Sequence, residues 1–206
     1  MLTRLNSYAD TYDVLSSLTN AFTGHYEGGN SHWTLIADVL YMKLSDQAYI
    51  QQTPITVRPK QTIAELAAAF TVERSGNSCG RHGDLQALIG GRYTDLGLAL
   101  ESVDGVINVS RDKDWVDPFI GARYRGSLSP RWCYSLRGDI GGFGIGDSSK
   151  FTWSAVADIT RNLSKTWAVD GGWKWLKYNY DQGSGTDEFK YDVMYEGPFV
   201  ALTIKF

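Results

Sequence analysis

The chain of 206 residues carries 20 Lys and Arg against 23 Asp and Glu, a formal net charge of −3, with aromatic residues at 13%. That balance offers no basic footprint for nucleic acid, and 22 scattered Gly with only 5 Pro fit neither collagen nor a linker. The length suffices for one domain or one closed barrel. No apolar run approaches the roughly 18 residues of a membrane-spanning helix; the longest candidate, residues 63–72, is interrupted by Glu65.

In chain order, residues 1–19 contain Asp10 and Asp13 and lack the apolar block of a signal peptide. They are read as an N-terminal loop with a short helix over 7–19, around Leu15 and Leu18, ahead of one barrel domain over 20–206. From there on the hydrophobic pattern has period two almost throughout, the signature of strands with unlike faces. About nine strands are expected, over 21–28, 32–43, 60–73, 84–100, 114–126, 131–145, 151–162, 166–180 and 188–206. Trp33, Leu35, Ala37, Val39 and Tyr41 share one face while Asp38 sits on the other; Leu66, Ala68 and Phe70 oppose Glu65; Ile89, Gly91 and Tyr93 oppose Arg92. Further on, Val116, Ile120 and Tyr124 oppose Asp117, Arg123 and Arg125, and Trp132, Tyr134, Leu136 and Ile140 oppose Cys133, Ser135, Arg137 and Asp139. Phe151, Trp153 and Ile159 oppose Asp158, and Trp167, Val169, Trp173 and Trp175 oppose Asp170 and Lys174. Parity fails near Thr94-Asp95, Leu176-Lys177 and Gly197-Pro198, read as β-bulges or as strand leaving the buried zone.

The connections alternate in length. Residues 29–31, 128–130 and 163–165 are tight, whereas 44–59, 101–113, 146–150 and 181–187 are longer and mostly polar, with 74–83 the exception. Short turns at one end and longer loops at the other describe an all-β, antiparallel up-and-down barrel.

Alternation alone does not say which face is inside. In a soluble barrel the apolar face points inward, and in a membrane barrel it meets lipid. Three features select the transmembrane β-barrel. Charges of both signs stand at mid-strand on the polar face: Asp38, Glu65, Arg92, Asp117, Arg123, Arg125, Arg137, Asp139, Asp158, Asp170 and Lys174. Aromatics open the apolar face at Trp33, Trp132, Phe151 and Trp167, and Tyr41 and Trp175 follow about eight residues on, the positions of an interfacial girdle. The chain ends in GPFVALTIKF, with Pro198, Val200, Leu202, Ile204 and Phe206 on one parity. The alternative is a soluble, lipocalin-like barrel around an apolar ligand.

The stretches DWVDPFIGARYRGSLSPRW, RGDIGGFGIG followed by FTW, and YDVMYEGPFVALTIKF resemble Gram-negative outer-membrane β-barrel proteins, whose wider relatives are the small OmpA- and OmpW-type barrels. The resemblance is strongest over 113–206 and continues weakly from about 33. It implies a non-enzymatic protein of the outer membrane, monomeric, in contact with the lipid bilayer and lipopolysaccharide. It also implies that Phe206 belongs to the signal read by the outer-membrane assembly machinery. Relatives begin with a signal peptide and an additional first strand, and bacterial single-chain barrels are even-numbered. The expectation is therefore a parent barrel of about ten strands whose first strand is not in this chain.

Other motifs lead to no chemistry. The glycines of residues 141–146 precede a strand rather than a helix, so they do not form a phosphate loop. Arg137-Gly138-Asp139 falls mid-strand rather than at an exposed loop tip. Cys79 and His82 have half the spacing of a metal site and no second half nearby, so neither metal nor cofactor is expected. Cys79 and Cys133 are expected to be unpaired thiols, with a bridge between them as the alternative. His25 is read as an interior hydrogen-bonder. The charged face is read as a buried ion-pair ladder that fixes register, and secondarily as the wall of a narrow solute path.

Overall fold

The computed structural model describes residues 4–7, 18–44, 46–50, 53–74, 83–102, 108–182 and 189–204. It is all-β. Nine long strands, β2 (Leu18–Gly29), β3 (Trp33–Leu44), β5 (Thr53–Arg74), β6 (Asp84–Ser102), β7 (Asn108–Ser129), β8 (Trp132–Gly141), β9 (Phe151–Asn162), β10 (Trp167–Gln182) and β11 (Phe189–Ile204), follow one another antiparallel in an up-and-down order. Two short strands flank them: β1 (Arg4–Ser7) lies parallel to the start of β11, and β4 (Asp46–Ile50) folds back on β5. The sheet curls into a barrel-like wall whose order is β1-β11-β10-β9-β8-β7-β6-β5-β3-β2.

Several sequence expectations shift at the element ends. The polar loop expected over 44–59 is largely strand, because Ile55, Thr56 and Val57 pair with β4 and also with β6 while Thr53 pairs with β4; β-branched residues favour the extended backbone that such pairing needs. Similarly, β6 runs to Ser102 and β7 begins at Asn108, inside the loop expected over 101–113. The strand expected over 131–145 stops at Gly141, since Gly142, Phe143, Gly144 and Gly146 all have positive φ and cannot continue a ladder. Of the helix expected over 7–19, Ser7 ends β1 and Leu18 opens β2, and residues 8–17 lie outside the described residues.

None of the three parity breaks is a bulge. Pairing is continuous through Thr94-Asp95, Leu176-Lys177 and Gly197-Pro198, and the register shifts fall instead at Leu18/Asn20, Thr71/Glu73 and Ser127/Ser129. What changes at the expected sites is the surroundings. Towards the long-loop end Leu176, Tyr178, Tyr180 and Tyr191 are buried with Ile63 and Trp115 in an aromatic cluster, and Leu40, Leu96, Phe189, Val193 and Tyr195 pack against it. The inward parity is therefore apolar there and polar lower down, with no slip of register.

The sheet has two free edges among the described residues. β2 pairs only with β3, and β11 beyond Val193 pairs only with β10. Eight antiparallel steps separate them, so β2 and β11 run in the same direction. Pro198, which has no N–H to donate, stands on this edge strand, where a proline is tolerated.

Candidate functional site

Burial assigns the faces. Leu66, Ile89, Ile120, Leu136 and Ile159 point outward and are about half exposed, and Val200 is 78% exposed. Their neighbours of opposite parity, Glu65, Arg92, Asp117, Arg123 and Asp139, are buried. The wall is thus apolar outside and charged inside.

Arg92 on β6 is the hub. It is completely buried, donating from Nε to Glu65 on β5 at 3.0 Å, from Nη2 to Asp139 on β8 at 2.8 Å and from Nη1 to the Thr152 hydroxyl on β9 at 3.3 Å. Its guanidinium also lies 5.1 Å from the centre of the Phe119 ring, an arrangement that the ring quadrupole favours. Arg137, two residues before Asp139 and on the same face, reaches Glu65 at 2.8 Å, Asp38 at 3.3 Å and Asp139 at 3.3 Å. Lys174 approaches Glu65 at 3.3 Å from β10, on the far side of the interior. Each buried carboxylate here meets more than one cation, the condition under which interior charges are tolerated.

A second branch completes the network. Asp38 accepts from His25 Nδ1 at 2.5 Å, and His25 Nε2 lies 3.1 Å from Glu27. Glu27 then pairs with both Arg123 and Arg125 of β7, and the Gln86 side-chain oxygen holds Arg123 Nε at 2.9 Å. Lys174, Glu65, Arg92, Asp139, Arg137, Asp38, His25, Glu27, Arg123 and Arg125 form one connected set that draws on β2, β3, β5, β6, β7, β8 and β10. Strands far apart in the sheet are tied across the interior by it.

Three of the charges expected in the interior stand apart from this set. Asp117 is buried and forms no ion pair among the described residues; its carboxylate accepts the Trp115 indole N–H at 3.0 Å and, from Ser149, the backbone N–H at 2.6 Å and the hydroxyl at 2.8 Å. Asp170 accepts the Thr203 hydroxyl, and Asp158 stands opposite Ser135 in the β8–β9 ladder. Conversely, Glu27 was missed by the sequence reading, although it shares His25's parity and lies opposite the exposed Tyr26. That alternation was the available signal.

The expected girdle residues sit on the outer parity. Trp33, Trp132 and Trp167 each open a strand at the short-turn end, where Phe70 lies 5.0 Å from Trp33 between ring centres and Arg161 stands 5.4 Å over Trp132. Tyr41, Phe151 and Trp175 lie towards the other end of their strands. The nine residues from Trp167 to Trp175 span about 26 Å along an extended chain, or roughly 20 Å once tilted. Phe206 lies outside the described residues.

Cys133 is disulfide-bonded, which overturns the expectation of an unpaired thiol there. Cys79, the only other cysteine of the sequence, lies outside the described residues, as does His82. Sequence spacing does not report such a bridge, because it depends on two distant segments meeting in the fold. Arg137 and Asp139 of the RGD triplet face the interior, so the triplet is not displayed. Among the described residues no group of His, Cys, Asp and Glu has the arrangement of a metal site, and no helix is long and apolar enough to cross a membrane. No protein-family model, curated protein or solved structure matches the chain.

Proposed function

We propose that the chain is an integral outer-membrane β-barrel protein of a Gram-negative bacterium, with a structural or interaction role and no catalytic activity. The observation that carries this is the inverted distribution of polarity. A wall with Leu66, Ile89 and Ile120 more than half exposed, and Arg92 and Asp117 fully buried, presents a far larger apolar surface than a water-soluble monomer sustains. In a bilayer the same wall is solvated on both sides. A soluble ligand-carrying barrel needs an apolar interior, and the middle of this one is filled by ion pairs.

The paired aromatic rows fit the two interfaces, and a disulfide at Cys133 fits an oxidising compartment. A bilayer core does not accept an open sheet edge. In the inserted protein β2 and β11 are therefore joined through one further strand antiparallel to both, which makes the strand count even. The interior ion pairs and the aromatic cluster leave at most a narrow path for small solutes. Lipid and lipopolysaccharide are the proposed surroundings, the monomer is the working state, and Phe206 is the proposed handle for the assembly machinery.

Membrane fractionation and gel mobility of unboiled against boiled samples test this reading. An envelope protein whose folded form migrates faster and shifts on heating is expected. A detergent-independent soluble monomer with one mobility would refute it.

A further inference from the structure

The connection between β8 and β9, residues 142–150, is a glycine-rich motif that the barrel alone does not explain. Its tip reads Gly142-Phe143-Gly144-Ile145-Gly146, and Phe143 adopts φ 64°, a left-handed conformation that non-glycine residues avoid. Phe143 is 46% and Ile145 65% exposed. A free loop would fold two such side chains down onto the wall. This one is held: the Ser148 hydroxyl donates to the Gly142 carbonyl at 2.7 Å and accepts from Ile145 N–H at 2.8 Å, and Ser149 is fastened to buried Asp117. Asp147 and Lys150 are tied to Gln182 and Asp181 of β10. Every polar group of the loop named here is turned back to the protein, and the two apolar ones are left exposed.

Height decides what they meet. Gly142 N–H bonds the Pro118 carbonyl of β7 at 2.9 Å, which sets the loop level with the outward-facing Val116 and, through it, Tyr93. Below the loop Ile120, Gly138, Ile140, Phe151 and Trp153 line a shallow outward depression, so the apolar outer face continues to the foot of the loop. We propose that this loop is an interfacial anchor, seating Phe143 and Ile145 in the headgroup–acyl boundary of the lipid leaflet at the long-loop end. This rests on the membrane reading and adds a lipid contact made by a loop, where rigidity rather than strand pairing holds apolar groups at the boundary.

The test places a nitroxide label, through single cysteine substitutions, at Ile145, Asp147, Ile89 and Ser164 of the protein folded into phosphatidylcholine vesicles. Collision with oxygen, which concentrates in lipid, is compared with collision with a water-soluble nickel chelate. A heat-shifted gel band checks that each variant is folded. The expected result is an oxygen-dominated label at Ile145, intermediate between Ile89 in the belt and the nickel-dominated labels at Asp147 and Ser164. A label at Ile145 as nickel-accessible as that at Asp147, with Ile89 in lipid, overturns the anchor and leaves the membrane reading standing. A label at Ile145 shielded from both reagents points to a protein partner or a second copy and overturns the anchor equally. Nickel access at Ile89 overturns the membrane reading and the anchor with it.

Discussion

Replacing Arg92 by methionine tests whether the interior network is dry and structural. The substitution keeps most of the side-chain volume but removes the hydrogen bonds to Glu65, Asp139 and Thr152. It leaves two carboxylates whose side chains are 3% and 0% exposed. Breaking a buried pair by removing one partner costs about 3–5 kcal/mol. The lower end, about 3 kcal/mol, applies because Arg137 still reaches both carboxylates and Lys174 still reaches Glu65. With a urea dependence of about 2 kcal/mol per molar for a chain of this size, the unfolding midpoint falls by about 1.5 M. Tryptophan fluorescence during urea titration of vesicle-folded protein reads the shift. Adding Asp139→Leu to Arg92→Met removes one stranded charge and should recover about 1 kcal/mol relative to additivity. The reasoning fails if Arg92→Met alone costs less than about 1 kcal/mol, the range of a solvated surface pair, or if the double variant is simply additive.

Further outcomes follow from the loop, the rim and the bridge. Gly142→Ala should destabilise by more than about 1 kcal/mol in the same titration, because φ is +84° and a Cβ there would lie 2.4 Å from the Ser149 carbonyl oxygen. At the rim, the Lys150 ammonium 2.7 Å from Asp181 holds that carboxyl below the ordinary carboxylate value. A depressed folded-state value gives a contribution that is present above about pH 3.9 and lost as pH falls through the lower folded value. A carbon-13 NMR titration should therefore find the Asp181 midpoint moving upward in Lys150→Gln, and an unmoved midpoint would remove the ion pair from the account. For Cys133, the intact mass should be lighter than the reduced chain by the hydrogens of one bridge, with thiol reactivity only after reductant; a fully reactive thiol without reductant would contradict the bridge.

Much of this architecture was legible because period two reports both the strand and its faces. Placing Glu65 opposite Leu66 and Arg92 opposite Tyr93 needed only counting, and the structure puts Glu65 and Arg92 inside, with Leu66 and Tyr93 outside. Which cation meets which carboxylate was not legible. Lys174 and Glu65 are 109 residues apart and meet only because the sheet curls. The aromatic cluster was misleading for a related reason. Leu176, Tyr178 and Tyr180 keep the inward parity of Lys174, so a change in what fills the interior looked like a change in register. The β4–β5 hairpin was hidden by the Asp, Gln, Thr and Pro residues of its strands, which read as loop composition although the backbones pair.

The central claim is that the apolar outer face meets lipid. Quenching of tryptophan fluorescence by brominated acyl chains tests it most directly, because Trp33, Trp132, Trp167 and Trp173 face outward while Trp115 is buried inside. In vesicles of brominated phosphatidylcholine most of the emission should be lost, and Trp173→Phe should reduce the quenchable fraction whereas Trp115→Phe should not. Emission unaffected by bromination, from a protein that stays in the aqueous phase, would contradict the account.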